Sequence, residues 1–364
     1  MGLDEIYVRD KSLTRIGLIE NAESVIWTSR YFECGDFEIY AKADKQILWL
    51  CKSGMFLTHK DSDMVGMIEE YKITTDLDGI DYITISGRCA TGLLARRAIR
   101  KTLSTESEYV QAGPVIRALI ERNIVNDTVY PLRNISILKL DENGFEIYGN
   151  SVSTQWGEFK GTVLYKTVTD ICKDAGCGIK TVLDESDSEN PKLVIKLYEG
   201  VDRTKNQSNV TKVIFSPEND NLMESEFVVS WTNYANGALT LANGNDKEQV
   251  EYRYHLGAGL SLFEIPVNAT DVLMKDNPKY SDTIHSRWRE TLANHKLNVA
   301  FDGKAGFSEL FKFKRDYNLG DLVTMENNYG MSETLRIIEI TECLDTNGYV
   351  ITPIFKGATG ELPW

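Results

Sequence analysis

The chain has 364 residues, of which 42% are hydrophobic and 26% charged, and its formal net charge is −14 at pH 7. This length predicts two to four folded units, and the composition is that of an ordinary globular protein rather than a disordered one. The apolar runs are far shorter than the ~20 residues that cross a bilayer, so no stable membrane insertion is expected. The acidic charge disfavours sequence-independent gripping of nucleic acid.

Residues 1–100 are predicted to form a β-barrel unit. Short segments rich in β-branched and aromatic residues follow one another closely, with turn clusters between them. The segments are EIYVRD, SVIWTSRYF, DFEIYAKA, QILWLCK, MFLTHK, MVGMIEEYKITTD and DYITISGR. Their spacing without intervening helices favours antiparallel hairpins that close into a barrel or pack as a sandwich.

Residues 101–193 are predicted to form a mixed α+β unit, because helical spacing replaces the strand pattern. QAGPVIRALIERNIVND is amphipathic and has Pro114 at a first-turn position, and TVLYKTVTDICKDAGCG has a stop at Gly176. TGLLARRAIRKTL, just before them, also has helical spacing. Three helices are therefore expected here or at the border with the first unit.

The strand pattern returns after residue 193. Residues 194–240 and 308–364 are predicted to form a second, split β-barrel unit, and residues 241–307 an inserted α+β segment with one helix in YSDTIHSRWRETLANHK. The predicted fold class is α+β, mainly antiparallel β, with two similar β-barrel domains and additional mixed domains.

The sequence contains an internal similarity between a segment that begins at Gly54 and one that begins at Gly320. Each has a Thr four residues after this Gly, then a Gly-Met pair, an Ile-Glu pair, a turn closed by Gly and an Ile-Thr pair. The turn positions are Gly54, Thr58 and Gly79 in one segment, and Gly320, Thr324 and Gly348 in the other. The two are either one duplicated element or a convergence, because strand–turn–strand segments reuse Gly and Thr. Two similar domains per subunit would double the equivalent faces of a ring.

The segment KLYEGVDRTKN contains the candidate site residues Glu199, Gly200, Asp202, Arg203 and Thr204. In a structural interpretation Asp202 accepts backbone N–H groups in a turn, Arg203 bridges Glu199 or a neighbouring subunit, and Gly200 permits positive φ. In a catalytic interpretation Glu199 and Asp202 form an acid/base pair. The structural interpretation is favoured, because the sequence supplies no matching nucleophile.

Other candidate sites are weaker. A basic stretch near residue 90 could bind nucleic acid, but an acidic partner or the Glu-rich strands of the chain itself suit it better. Three acidic residues could bind calcium, although they lack the spacing of a calcium loop. The basic residues are Arg88, Arg96, Arg97, Arg100 and Lys101, and the acidic ones are Asp220, Glu224 and Glu226.

The cysteines are predicted to be buried free thiols, with only Cys172 and Cys177 close in sequence, and His59 is interpreted as a surface or packing residue.

Several segments, taken in order, resemble baseplate-hub proteins of tailed bacteriophages, in particular the tail-associated, hub-like proteins of phages and prophages of Gram-positive bacteria. The segments are RYFECGDFEIY, GMFLTHKDSDMVGMIEE, DGIDYITISGRCATGLLARR, KLYEGVDRT, VIFSPENDNL and YNLGDLVTMENN. The resemblance spans nearly the whole chain and depends on the order and spacing of these segments.

The resemblance implies a structural, non-enzymatic virion protein without cofactors, assembled in the bacterial host cytoplasm. It implies a homotrimer at the distal end of the tail, in which two β-barrel tube domains per chain form a pseudo-six-fold ring. Its implied partners are distal-tail or tail-tube proteins above, and spike, fibre or tape-measure proteins below or within, while phage DNA passes without specific binding. An alternative is a cell-wall glycan hydrolase or glycan-binding protein that uses Glu199, Asp202, Trp231 or Tyr234.

Overall fold

The computed structural model describes residues 3, 5–100, 109–145, 151–153, 161–244, 248–274, 278–305 and 310–357. The first part of the chain contains β1 Ile6–Arg9, β2 Arg15–Ile19, β3 Ser24–Arg30, β4 Asp36–Lys42, α1 Lys45–Leu50, β5 Phe56–His59, β6 Gly66–Thr75 and β7 Asp81–Cys89. The middle part contains β8 Tyr109–Gln111, α2 Ala112–Ile120, β9 Leu138–Leu140, β10 Ser151–Ser153, α3 Leu164–Ala175, β11 Gly178–Asp184 and β12 Lys192–Tyr198. The last part contains β13 Ile214–Phe215, β14 Leu222–Ser230, β15 Gly237–Asn243, β16 Gln249–His255, β17 Glu264–Leu273, α4 Tyr280–Ala293, β18 Asn298–Ala305, β19 Leu322–Glu326, β20 Ser332–Asp345 and β21 Gly348–Gly357.

One 11-stranded sheet connects the two ends of the chain. Its strand order is β13-β19-β20-β3-β4-β7-β6-β5-β1-β2, and β21 pairs with β20 outside this path. The joint between early and late strands is the antiparallel pairing of β3 with β20, in which Arg30 faces Glu339 and Val25 faces Leu344. The two predicted β units therefore share a continuous hydrogen-bonded sheet.

The predicted fold class, α+β and mainly antiparallel β, is confirmed, whereas the two closed barrels are not seen. Among the described strands the pairing leaves the large sheet open rather than closing it into rings. β18 lies beside β21 and pairs with β14, so the second unit curls, but the described ladders do not close it. The barrel form of each unit thus remains a prediction.

The first β unit differs from the sequence prediction in two elements. QILWLCK was expected to be a strand, yet Lys45–Leu50 forms α1, because the Asp44 side chain accepts the backbone N–H of Ile47 at the helix start. β2 was missed, since the segment RIGLI is short and Gly17, a poor strand former, interrupts its apolar residues. α1 buries Ile47 and Leu50 in the core of the first unit and leaves its other face in solvent.

The mixed unit contains two of the three helices that its sequence predicted. α2 is followed directly by a π-helical turn, Glu121–Val125, and α3 ends at Gly176, whose φ of 73° is the left-handed conformation of a helix C-cap. TGLLARRAIRKTL forms instead a 3₁₀ helix, Ala90–Arg96, after which the backbone is extended, and its last residues lie outside the described ranges. The helices and the sheet β11-β12-β9 enclose one apolar core.

The second β unit and the inserted unit each have their own apolar cluster. The cluster of the second unit centres on Val213, Phe215, Val323 and Ile337. The inserted unit packs the predicted helix, α4, on the three-stranded sheet β16-β15-β17. The sequence-based domain limits remain a prediction. No helix in the described part of the chain is long and apolar enough to span a membrane.

Candidate functional site at the unit junction

The segment 199–204 lies against the turn that begins β19. A Cβ atom on Gly200 would overlap the carbonyl group of Gly320, so only glycine lets these two backbones approach. Gly200 was expected to adopt a positive φ, but it is not among the positive-φ residues, so close approach is what requires glycine here. The Asp202 carboxylate accepts the backbone N–H of Thr204 at 2.9 Å, which is an Asx-turn.

Asp321 holds this segment in place. Its buried carboxylate accepts the backbone N–H groups of Val201 and Asn318, at 2.8 Å and 2.9 Å, and the Nε–H of Arg203 at 2.7 Å. Arg203 was expected to bridge Glu199 or another subunit, and it forms an ion pair with Asp321. No sequence motif indicates this partner, because Asp321 lies 118 positions from Arg203.

The main chain continues the contact along β19. Leu322 donates to the carbonyl of Val201 and accepts from Arg203, and the side chain of Thr324 accepts the N–H of Lys205 at 3.0 Å. Thr204, the last residue of the candidate site, is buried in this contact. The chain therefore uses the motif to attach the mixed unit, which ends at β12, to the second β unit.

Tyr31, in the segment RYFECGDFEIY, is the centre of the junction, a role that its sequence position does not indicate. Its buried ring packs edge-on against Tyr198, and its hydroxyl lies 3.2 Å from the carbonyl oxygens of both Gly176 and Tyr198. The guanidinium of Arg336 lies 5.2 Å from the ring centre. Burial raises the pKa of Tyr31 to about 12, so the hydroxyl stays protonated as a donor. One side chain thus contacts all three adjoining units.

A cleft of about 400 Å³ opens beside this junction. It is lined by residues of the first β unit, the mixed unit and the second β unit, among them Asp63, Lys180 and Glu199. Asp202 is not among the lining residues, because its carboxylate is part of the turn. The structure therefore does not bring Glu199 and Asp202 together across the cleft as an acid/base pair.

The aromatic residues of the hydrolase alternative lie elsewhere. Trp231 and Tyr234 follow β14 at the start of the inserted unit, and neither lines the cleft. Tyr234 packs edge-on against Phe263 with ring centres 5.2 Å apart. They are separate from the carboxylates that the same hypothesis invoked.

His59 and Glu342 are buried polar residues, and Glu342 lines the cleft. His59 packs edge-on against Trp27, and neither of its ring nitrogens has a hydrogen-bond partner among the described residues. Burial, and secondarily the charge of Lys314, lowers the pKa of His59 to about 4, so the ring is neutral at pH 7. Glu342 accepts from Lys314 at 3.2 Å and from the hydroxyl of Tyr349. His59 is thus the packing residue that one sequence interpretation foresaw.

The predicted turn positions of the two similar segments have matching conformations. Gly54 and Gly320 have φ of 85° and 94°, and Gly79 and Gly348 have φ of 76° and 118°. Each segment folds into three antiparallel strands, β5-β6-β7 and β19-β20-β21. Positive φ is readily adopted only by glycine, which explains why the sequence shows glycine at all four turns.

The backbone hydrogen bonds give the residue equivalence. Gly54 donates to Ile68 and Ile68 to Met55, as Gly320 donates to Ile337 and Ile337 to Asp321. Ile68 therefore corresponds to Ile337, one residue before the Ile-Glu pair that the sequence matched. A strand bulge follows directly in both segments. Because the loops differ in length, the pair Gly66-Met67 does not align with Gly330-Met331, which lies in the β19–β20 turn.

Thr58 and Thr324 occupy the same place in β5 and β19. Both are buried, and each hydroxyl receives a polar hydrogen from the neighbouring segment, Arg9 Nε at 3.2 Å and Lys205 N at 3.0 Å. The threonines therefore hydrogen-bond to the neighbour of each three-stranded element, which is β1 in the first unit and the segment 201–205 in the second.

Two residues of the basic stretch pair with carboxylates of the same chain. Arg88 binds both carboxylate oxygens of Glu69, which lowers the pKa of Glu69, and Arg100 pairs with Asp127. Lys101 lies outside the described ranges, as does the side chain of Glu224. Among the described residues no group of three His, Cys, Asp or Glu side chains could hold a metal ion.

The cysteines are free thiols, and five of the six are buried. Cys34 and Cys89 are distant in sequence, yet packing brings their Sγ atoms to 2.8 Å. The sequence could not show this proximity, because it arises from the end of β7 lying beside the β3–β4 turn.

The fold is that of solved phage and prophage tail proteins. The tail protein from Neisseria meningitidis MC58 shares 14% identity with a TM-score of 0.58, covering 99% of this chain and 98% of that one. The prophage MuSo2 43 kDa tail protein from Shewanella oneidensis shares 14% identity with a TM-score of 0.55 and the same two coverages. The prophage tail protein gp18 from Listeria monocytogenes EGD-e shares 12% identity with a TM-score of 0.53, covering 98% and 95%.

The family model of the siphovirus ReqiPepy6 Gp37-like proteins matches residues 5–355. The chain therefore belongs to this family. No curated protein matches the sequence.

Proposed function

We propose that this protein is a structural, non-enzymatic component of the phage tail that forms a homotrimeric hub at the distal end of the tail tube. Its two β units would supply six similar elements per trimer and so continue a hexameric tube. The mixed and inserted units would dock distal-tail, spike, fibre or tape-measure proteins, and phage DNA would pass through the ring without specific binding.

The observation that carries this proposal is the joint between the two β units. Strand β3 of the first unit adds to β20 of the second, so consecutive units are linked edge to edge by backbone hydrogen bonds. Repeating such a joint around an axis generates a closed ring when the rotation from one unit to the next is a whole-number fraction of 360°. The siphovirus family and the tail-protein fold are consistent with this role.

The net charge of −14 suits a channel for nucleic acid. Like charges repel, so a lumen lined with acidic or neutral side chains would let DNA move without adhering. The same charge also favours solubility, so it supports the proposal less than the joint does.

Native mass measurement of the purified chain, followed by cryo-microscopy of intact particles, tests the hub role. We expect a mass of three chains, and a ring with three-fold symmetry at the tail tip. A chain that stays monomeric at high concentration, together with its absence from virions, would contradict the proposal.

The hydrolase alternative has one observation in its favour, because Glu199 lines a cleft of about 400 Å³. Incubation of the purified chain with cell-wall material tests it. Turnover that is lost in Glu199→Gln and Asp202→Asn, but retained in Glu218→Gln in the exposed turn after β13, would favour an enzyme. We expect no turnover with any of these chains.

A further inference from the structure

The outer half of β6 is an open sheet edge. Gly66 and Met67 pair with β5 on one side, whereas Glu70–Thr75 pair with β7 alone among the described strands. All six of these residues are exposed. A strand with one free row of N–H and C=O groups is a template for pairing with another strand.

The equivalent part of β20 is covered on both sides. Glu339–Leu344 pair with β21 on one side and with β3 on the other, and none of these residues is exposed. Counting onward from Ile68 and Ile337 through the shared bulge, Tyr71 corresponds to Ile340 and Ile73 to Glu342. The two units therefore differ at this edge by the presence of one added strand.

The side chains show the consequence of that difference. Ile340 and Glu342 are 0% and 3% exposed, whereas Tyr71 and Ile73 are 50% and 47% exposed. Tyr71 and Ile73 face Ile85 and Ile83 across β7, and cross-strand partners lie on the same face of a sheet. Ile83 and Ile85 of β7 are in the core of the first unit. The apolar face of the sheet therefore continues from β7 onto the exposed outer half of β6.

The second unit holds a strand in the place that β3 has in the first. β3 pairs with β4, and β4 pairs with β7; correspondingly, β14 pairs with β18, and β18 lies beside β21. The second edge of β14 has no partner strand within the described ranges, and its residues Ser225, Glu226 and Val228 are exposed. Among the described strands, β14 therefore has one edge without a partner strand, as does the outer half of β6.

We propose that β14, Leu222–Ser230, of one copy of this chain pairs antiparallel with Glu70–Thr75 of a second copy. The contact repeats between chains what β3 and β20 form within one chain. This inference rests on the proposed ring and identifies its subunit contact: joints within and between chains alternate around the axis. Each chain contributes one donor strand and one acceptor edge, so the contact is head-to-tail and can close.

The test uses the full chain with two aspartates at the open edge, Tyr71→Asp together with Ile73→Asp. The matched control is Val129→Asp together with Leu260→Asp, which changes two apolar residues that are more exposed and lie outside the edge. Sedimentation over a range of concentrations gives the association constant, and thermal melting shows that each chain is folded. We expect the edge variant to raise the dissociation constant at least about tenfold, because two apolar side chains would be buried in the contact, and the control to leave it unchanged.

Hydrogen exchange separates this contact from the ring itself. Amides of Glu70–Thr75 should exchange more slowly in the wild-type assembly than in the edge variant. A trimer whose Glu70–Thr75 amides exchange fast, or an edge variant that associates with the dissociation constant of the wild type, would overturn the contact and leave the hub proposal standing. Protection of this edge that appears only when another tail protein is added would also overturn it. A wild-type chain that never associates would contradict both the subunit contact and the hub proposal.

Discussion

The first β unit is built from one continuous stretch, β1 to β7, whereas the second is assembled from strands on both sides of the inserted unit. The insertion enters between β14 and β18, at the point where β3 and β4 of the first unit are joined by a short turn. Connections at the ends of hairpins lie at the surface and tolerate long insertions. The three-stranded element and its turn glycines are therefore the constant part of each unit.

The two units also cover the same strand differently. In β5, Leu57 points into the core of the first unit while Phe56 packs into the core of the mixed unit, so apolar contacts cover both faces. In β19, Val323 packs inward, and the segment 201–205 is attached along the strand by the Asp321–Arg203 pair and backbone bonds. An ion pair of this kind depends on both partners, because removal of one leaves an uncompensated charge.

The largest expected difference in unfolding free energy is between substitutions at the covered edge of β20 and at the open edge of β6. Ile340→Asp places a charge in a buried position and is expected to lower the free energy of unfolding by about 4 kcal/mol or more. Tyr71→Asp, at the equivalent exposed position, is expected to change the stability of the dissociated chain by less than about 0.5 kcal/mol. Chemical denaturation of both variants measures the contrast. Similar losses in the two variants would show that the β6 edge is not open.

The next largest expected loss of stability comes from the hydrogen bonds and ion pair that Asp321 forms at the start of β19. Asp321→Ala leaves Arg203 and two backbone N–H groups without their acceptor and is expected to cost about 3 kcal/mol. Met55→Ala, at the corresponding place in the first unit, removes a half-buried apolar side chain and is expected to cost about 1 kcal/mol. Denaturation curves give both values, and an Asp321 variant as stable as the Met55 variant would contradict this role.

The sequence was sufficient for local features and insufficient for the joints between units. Positive φ restricts Gly54, Gly79, Gly320 and Gly348 to glycine, so these turns were visible in the sequence. Periodicity predicted α2, α3 and α4 because amphipathic helices have a strong pattern. The pairing of β3 with β20 joins residues some three hundred positions apart, and no local pattern encodes it.

The candidate site was predicted in part for the same reason. The Asx-turn of Asp202 is a contact between near neighbours, so composition could suggest it. The partner of Arg203 lies 118 positions away and follows only from the fold. Tyr31 is an aromatic residue at a strand end, and nothing in the sequence distinguishes it from others.

His59 and Met325 occupy equivalent places after Thr58 and Thr324, and this difference predicts a pH effect. The pKa of His59 is about 4 in the folded chain and 6.5 ordinarily, so the unfolded chain binds the proton first as pH falls. Stability should therefore decrease from about pH 6.5 down to about pH 4, by up to about 3 kcal/mol. His59→Met, which copies the second unit, should remove this component. The measurement is the unfolding free energy of both chains against pH, and parallel curves would refute the assignment.

The smallest expected difference in stability is between alanine substitutions at the two turn glycines Gly54 and Gly320. Alanine at either Gly54 or Gly320 must adopt positive φ, which costs about 1–2 kcal/mol. A Cβ at Gly320 would also overlap the ring of Tyr31, whereas at Gly54 it meets only the flexible end of Lys11 at 3.3 Å. Gly320→Ala should therefore be less stable than Gly54→Ala by about 1 kcal/mol or more. The double variant Gly320→Ala with Tyr31→Leu relieves the overlap, so the gap between the two glycines, measured by thermal unfolding, should narrow in that background. A gap that is unchanged there would mean that Tyr31 does not constrain the turn.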